Sequence, residues 1–133
     1  MKISILLPYK ENFSPIYAGA VSLFIKDTVK LSKYRKDITV YGNTNLKNIF
    51  KLKYKNIELK KNIIQSGSKA YVKEFLKNEK DQPSDLIEIH NRPNYFHLIN
   101  KNKVNQKIVL YFHNDPLTMT GSRSTADRKK LLE

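Results

Sequence analysis

The chain is 133 residues long, carries 25 Lys and Arg against 12 Asp and Glu for a net charge of +13, and contains no cysteine. That length fits a single domain with a real core, short for most two-substrate enzymes. Without cysteine there are no disulfides and no thiolate metal sites, and no run approaches the roughly eighteen apolar residues of a membrane-spanning helix.

In chain order, Ile3 to Leu7 reads as a short buried strand, too short for the apolar core of a signal peptide. Gly19 to Tyr34 reads as a helix, because Val21, Phe24, Ile25, Val29 and Leu31 fall at spacings that gather on one face. Asp37 to Gly42 is a second strand ending at a glycine turn. Asn43 to Lys55, rich in Lys and Asn, fits no element well, and Ile57 to Leu59 is expected as a short, lysine-flanked edge strand. Ser68 to Asn78 is helical, with Tyr71/Phe75 and Val72/Leu76 as four-residue pairs. Asp85 to His90 is the fourth strand, Pro93 to Asn100 a helix with Pro in its first turn, and Lys107 to Phe112 the fifth strand. Strands alternating with helices of this length predict an α/β fold, Rossmann-like and doubly wound, with a mostly parallel sheet and helices on both faces.

After the fifth strand, Ser124-Thr125-Ala126-Asp127 is a capping pattern that should open a helix. Its first apolar residues, Leu131 and Leu132, come just before Glu133. A helix of this length has little independent stability. The expectation is therefore that residues 1–133 are one domain of a larger protein, the alternative being a short C-terminal helix packed on the sheet.

The functional signal lies at the ends of the fourth and fifth strands. Leu86-Ile87-Glu88-Ile89-His90-Asn91-Arg92-Pro93 and Ile108-Val109-Leu110-Tyr111-Phe112-His113-Asn114-Asp115-Pro116 each run apolar and then turn abruptly polar at a histidine. In open α/β sheets ligands bind beyond the carboxyl ends of the strands, so both segments read as buried strands delivering polar groups to a cleft.

With Gly19-Ala20-Val21 opening the first helix, these two histidine-terminated strands resemble the N-terminal domain of the family 4 glycosyltransferases, enzymes of the two-domain GT-B fold. The resemblance covers essentially the whole chain. It implies transfer of a sugar from a nucleotide sugar with retention at the anomeric carbon, with no metal or other cofactor. It implies further that this domain holds the acceptor, a carbohydrate or a lipid-linked one, and a second domain the donor. Gly19 and Ala20 would then lie by the donor diphosphate, and His113 by the donor sugar and reacting centre as the catalytic group. His90, Asn91 and Arg92, with Asn114 and Asp115, would lie nearer the acceptor. The family's phosphate-binding Arg/Lys pair and paired glutamates belong to the second domain and have no counterpart here, so this chain alone is expected to be inactive.

The residues themselves leave two readings at most of these positions. A glycine at a helix start lets backbone N–H groups approach a pyrophosphate, and it also serves as a plain N-cap. His113 suits a sugar hydroxyl or charge near a leaving group, or a bond to neighbouring backbone, and His90 stands the same way. Arg92 suits an anionic acceptor group or covers the start of its helix. Asp115 also suits capping the turn at Pro116, and Glu88 is expected to point across the sheet or to solvent. Tyr111 and Phe112 read as core.

Rival sites are poor. His90, His97 and His113 lack tight metal-ligand spacing with carboxylates, and the usual dinucleotide, nucleoside triphosphate and hydrolase motifs are missing. Only Arg35, Arg92, Arg123 and Arg128 among the 25 cations are arginines, whereas nucleic-acid readers concentrate arginine for bidentate contacts. The lysine excess therefore reads as compositional bias, or as a surface drawn to phosphate or anionic membrane, and nucleic acid is not expected as a partner. The location expected is cytoplasmic, with peripheral contact at the inner membrane face as an option. The competing function is a non-catalytic binding or regulatory domain of flavodoxin-like shape.

Overall fold

A computed structural model describes residues 1–60, 64, 66–103 and 105–133. Five strands form one all-parallel sheet: β1 (Ile3–Leu6), β2 (Ile38–Gly42), β3 (Tyr54–Asn56), β4 (Leu86–His90) and β5 (Lys107–Tyr111). The helices are α1 (Ala20–Leu31), α2 (Gly67–Asp81), α3 (Pro93–Asn102) and α4 (Thr125–Leu132), with a 3-10 turn at Pro116–Thr118. The strand order is β3-β2-β1-β4-β5. This matches five of the six strands of the doubly wound Rossmann order and not the flavodoxin order, so the flavodoxin-like shape of the competing reading is corrected on topology.

The central position of β1 explains why all four of its residues are buried. One face of the sheet, with Ile3, Ile5 and Val40, packs under Val21, Ile25 and Val29 of α1, spaced four apart as a single helical stripe. The opposite face, with Leu6, Ile87 and Ile89, packs under Tyr71, Val72 and Phe75 of α2 and Tyr95 and Ile99 of α3. The buried Tyr71 hydroxyl donates to the Leu7 carbonyl at 2.9 Å, fastening α2 to the carboxyl edge, and burial pushes its pKa well up.

Two elements differ from the sequence expectation. The third strand lies at Tyr54–Asn56 rather than at Ile57–Leu59, because its partner β2 ends at Gly42, opposite Asn56; Ile57 closes the pairing by donating its N–H to the Gly42 carbonyl at 2.7 Å and sinks its side chain into the core. The fifth strand is the sheet edge: Val109 and Tyr111 are 41 and 44 % exposed, so Tyr111 is not core. A run of β-branched and aromatic residues looks the same whether a helix covers it or not.

At the amino-terminal edge, the buried carboxylate of Glu79 accepts from the Ser4 hydroxyl at 2.5 Å, the Ser84 hydroxyl at 2.7 Å and the Ser84 N–H at 3.1 Å. These bonds tie the end of α2 to β1 and to the entry of β4. Ser124 caps α4 as expected, accepting from the Asp127 N–H at 3.0 Å, and no residue of α4 is buried.

Candidate functional site

The order β2-β1-β4 places the switch point of the sheet between β1 and β4, where connections depart to opposite faces and a crevice opens at the carboxyl edge. His90 ends β4 there, and Tyr111 of β5 stands beside it in register. The pleat puts Glu88, His90 and Tyr111 on the face covered by α1, and His113, two residues past Tyr111, joins them.

Three of these side chains form a chain of hydrogen bonds. Glu88 Oε1 lies 2.6 Å from His90 Nε2, and His90 Nδ1 lies 2.8 Å from His113 Nε2. A carboxylate can only accept, so His90 donates from Nε2, which leaves its Nδ1 as the acceptor for the His113 Nε2–H. His113 is thereby left with its Nδ1 lone pair, which has no partner among the described residues. His90 is fully buried, while His113 is exposed. Phe24 of α1 meets the His113 ring edge-on at 4.8 Å, and Tyr111 stacks on His90 at 5.4 Å. Partial burial, and then the neighbouring His90, hold the His113 pKa below its ordinary value, against the opposing pull of Glu88. Glu88 therefore points neither to open solvent nor idly across the sheet. Its partnership was visible only as a Glu-x-His spacing, which sets two side chains on one face of a strand.

Asn91 holds the two strand ends together. Its Oδ1 accepts from the His113 N–H at 2.7 Å, its Nδ2 donates to Asn114 Oδ1 at 2.7 Å, and its N–H donates to the Tyr111 carbonyl at 2.8 Å. It does so at φ 51°, in the left-handed region that asparagine tolerates better than most residues. Asn91 is 8 % exposed, so it acts here chiefly as a clasp.

A cleft of about 1020 Å³ opens on the other side of this clasp, between α2, α3 and the segment after the 3-10 turn. Its walls include Asn91, Arg92, Asn114, Lys69, His97, Lys101 and Tyr95, and among the described residues no Asp or Glu lines it. The structure thus gathers Asn91, Arg92 and Asn114 on this cleft, while His90 and His113 stand round the edge on the α1 side. Arg92 is exposed and donates to the Asn91 carbonyl at 2.8 Å. Asp115 is turned to local use: its Oδ1 caps the 3-10 turn by accepting from the Leu117 N–H at 2.9 Å.

Gly19 is the N-cap of α1 at φ −73°, with Ala20 as the exposed first residue. The space beside Gly19 holds the Glu11 carboxylate, which accepts from the Ser22 N–H at 3.1 Å. The anion at this helix terminus is the chain's own. Among the described residues no group of His, Asp and Glu is arranged to hold a metal ion. No described helix is long and apolar enough to cross a membrane.

Fold and site together define a Rossmann-like α/β domain with a polar cleft and a histidine pair at the carboxyl edge. Comparison with known proteins finds no matching family model, no matching curated protein and no matching solved structure.

Proposed function

We propose that this chain supplies the acceptor side of a glycosyltransferase active site, in which a sugar passes from a nucleotide sugar with retention at the anomeric carbon. The carrying observation is the 2.8 Å contact between two histidines delivered by adjacent parallel strands, on the edge where doubly wound sheets bind ligands. The exposed His113 Nδ1 suits a sugar hydroxyl. The neighbouring cleft, walled by Arg92, Lys69 and Lys101 with no carboxylate among the described residues, suits a polar acceptor carrying negative charge.

In this reading the nucleotide and most of the diphosphate are held by a second domain, and a donor phosphate reaches Gly19 and Ala20 only when Glu11 leaves the α1 terminus. The domain uses no metal of its own.

Chemical-shift mapping with free sugars and sugar phosphates tests the reading. Saturable changes at Arg92, Asn114 and Lys101, with negligible product formed by the 133-residue chain from nucleotide sugars, are expected. Turnover by this chain on the order of 1 per second, or the lack of any saturable sugar response at the cleft and at His113, would overturn it.

A further inference from the structure

We propose that Glu88 is a positioning residue for His113, acting through His90 to keep the His113 Nδ1 lone pair bare and ready to take a hydrogen bond or a proton from a ligand hydroxyl. The geometry is a continuous path of 2.6 and 2.8 Å contacts from a carboxylate, through a fully buried imidazole, to an exposed one. Buried His90 has no water to turn to, so the carboxylate decides which of its nitrogens bears the proton. That choice fixes the tautomer of His113 in turn, one ring further out.

The path also has somewhere to put a proton. When His113 Nδ1 takes one, the His113 Nε2 proton passes to His90 Nδ1, leaving His90 as the imidazolium beside the Glu88 carboxylate. The triad goes from one negative charge to neutral, and the positive charge sits in the buried ion pair rather than at the ligand. The titratable groups around His113 are Glu88 and His90 from β4 and Tyr111 from β5, while α1 contributes the Phe24 ring and the turn after β4 contributes Asn91, neither of which titrates.

The catalytic use of this relay rests on the acceptor-side reading above, but the relay itself does not. The test is imidazole nitrogen NMR on the 15N-labelled 133-residue chain. Expected for the wild type at neutral pH are a bare Nδ1 on His113 and a scalar coupling between His113 Nε2 and His90 Nδ1. Glu88→Gln keeps the size and an acceptor oxygen but removes the charge that favours protonation, so the proton affinity read at His113 should fall about tenfold, a midpoint lower by about one pH unit. A residue that merely packs would leave that midpoint where it was.

A proton on His113 Nδ1, no coupling between the rings, or an unmoved midpoint in folded Glu88→Gln would overturn the relay. Should Glu88→Gln fail to fold, the wild-type tautomer and coupling decide alone. A relay found without any sugar response leaves this inference standing and removes the transferase reading. Sugar binding with the wrong tautomer does the reverse.

Discussion

The Glu11 carboxylate fills the space beside Gly19, so that a Cβ at position 19 would fall on it. Glu11 accepts from the Ser22 N–H at 3.1 Å and puts a negative charge against the amino end of α1, which carries no acidic residue in its own first turn. Glu11→Ala should cost about 1 kcal/mol. Gly19 has an ordinary φ, so Gly19→Ala should destabilise only by pushing Glu11 away. The double variant should then cost little more than Glu11→Ala alone, read from urea midpoints. Fully additive costs would show that the two residues act independently.

Ser22 offers a contrast within the same turn. Its N–H is satisfied, but its buried Oγ finds no partner among the described residues. Ser22→Ala removes an unsatisfied polar atom and raises helix propensity, so it should be neutral or stabilising by up to about 1 kcal/mol. A loss of stability in calorimetry would mean that the hydroxyl has a partner in solution.

The Glu79 carboxylate serves Ser4 and Ser84 at the opposite edge of the sheet. Glu79→Ala strands three buried donors, the Ser4 hydroxyl and the hydroxyl and N–H of Ser84, and empties the space between α2 and β1, for an expected loss of about 3 kcal/mol. Ser4→Ala removes one bond to a charged acceptor and should cost less, about 2 kcal/mol. Equal costs, or none, would contradict the arrangement.

Asn91 combines a left-handed backbone with a clasp on His113 and Asn114. Asn91→Ala should lose both the side-chain bonds and the tolerance of positive φ, whereas Asn91→Gly keeps the backbone free. The alanine variant should therefore be the less stable by about 1 kcal/mol. If glycine proves the more damaging, the backbone there is not strained in solution.

His113 gives stability a pH dependence of definite sign. Its folded-state pKa lies below the ordinary value of about 6.5. As pH falls, the unfolded chain takes up a proton before the folded one does, so this contribution is complete above about pH 6.5 and declines below it. Urea midpoints of His113→Gln should consequently fall less than those of the wild type as pH is lowered from about 6.5. Parallel profiles would remove His113 from the titration of stability.

Apart from the third strand, the sequence by itself determined the elements and their alternation, because each depends on neighbours in the chain. The four-residue spacing of Val21, Ile25 and Val29 makes a helical stripe, and the apolar run before His90 makes a strand, whatever lies around them. Parallel pairing follows, since such strands joined by helices have no other economical arrangement. Even the cap at Ser124 was legible, being a bond between residues three apart.

What only the tertiary structure decided are relations between distant segments. Glu88 was expected to point across the sheet or to solvent because nothing local says that His113, 25 residues on, comes round to share its face and complete a path through His90. Tyr111 looked like core because hydrophobic pattern reports the tendency to be covered and not the presence of a cover. Gly19 and Asn91 drew their uses from partners fixed by folding, the Glu11 carboxylate and a second strand end, whereas the local cap of Asp115 on the turn at Pro116 was one of the two readings the sequence offered. The pleat then set the histidines on one side of the sheet edge and the cationic cleft on the other, a division settled by strand register and helix placement rather than by the residues' own chemistry.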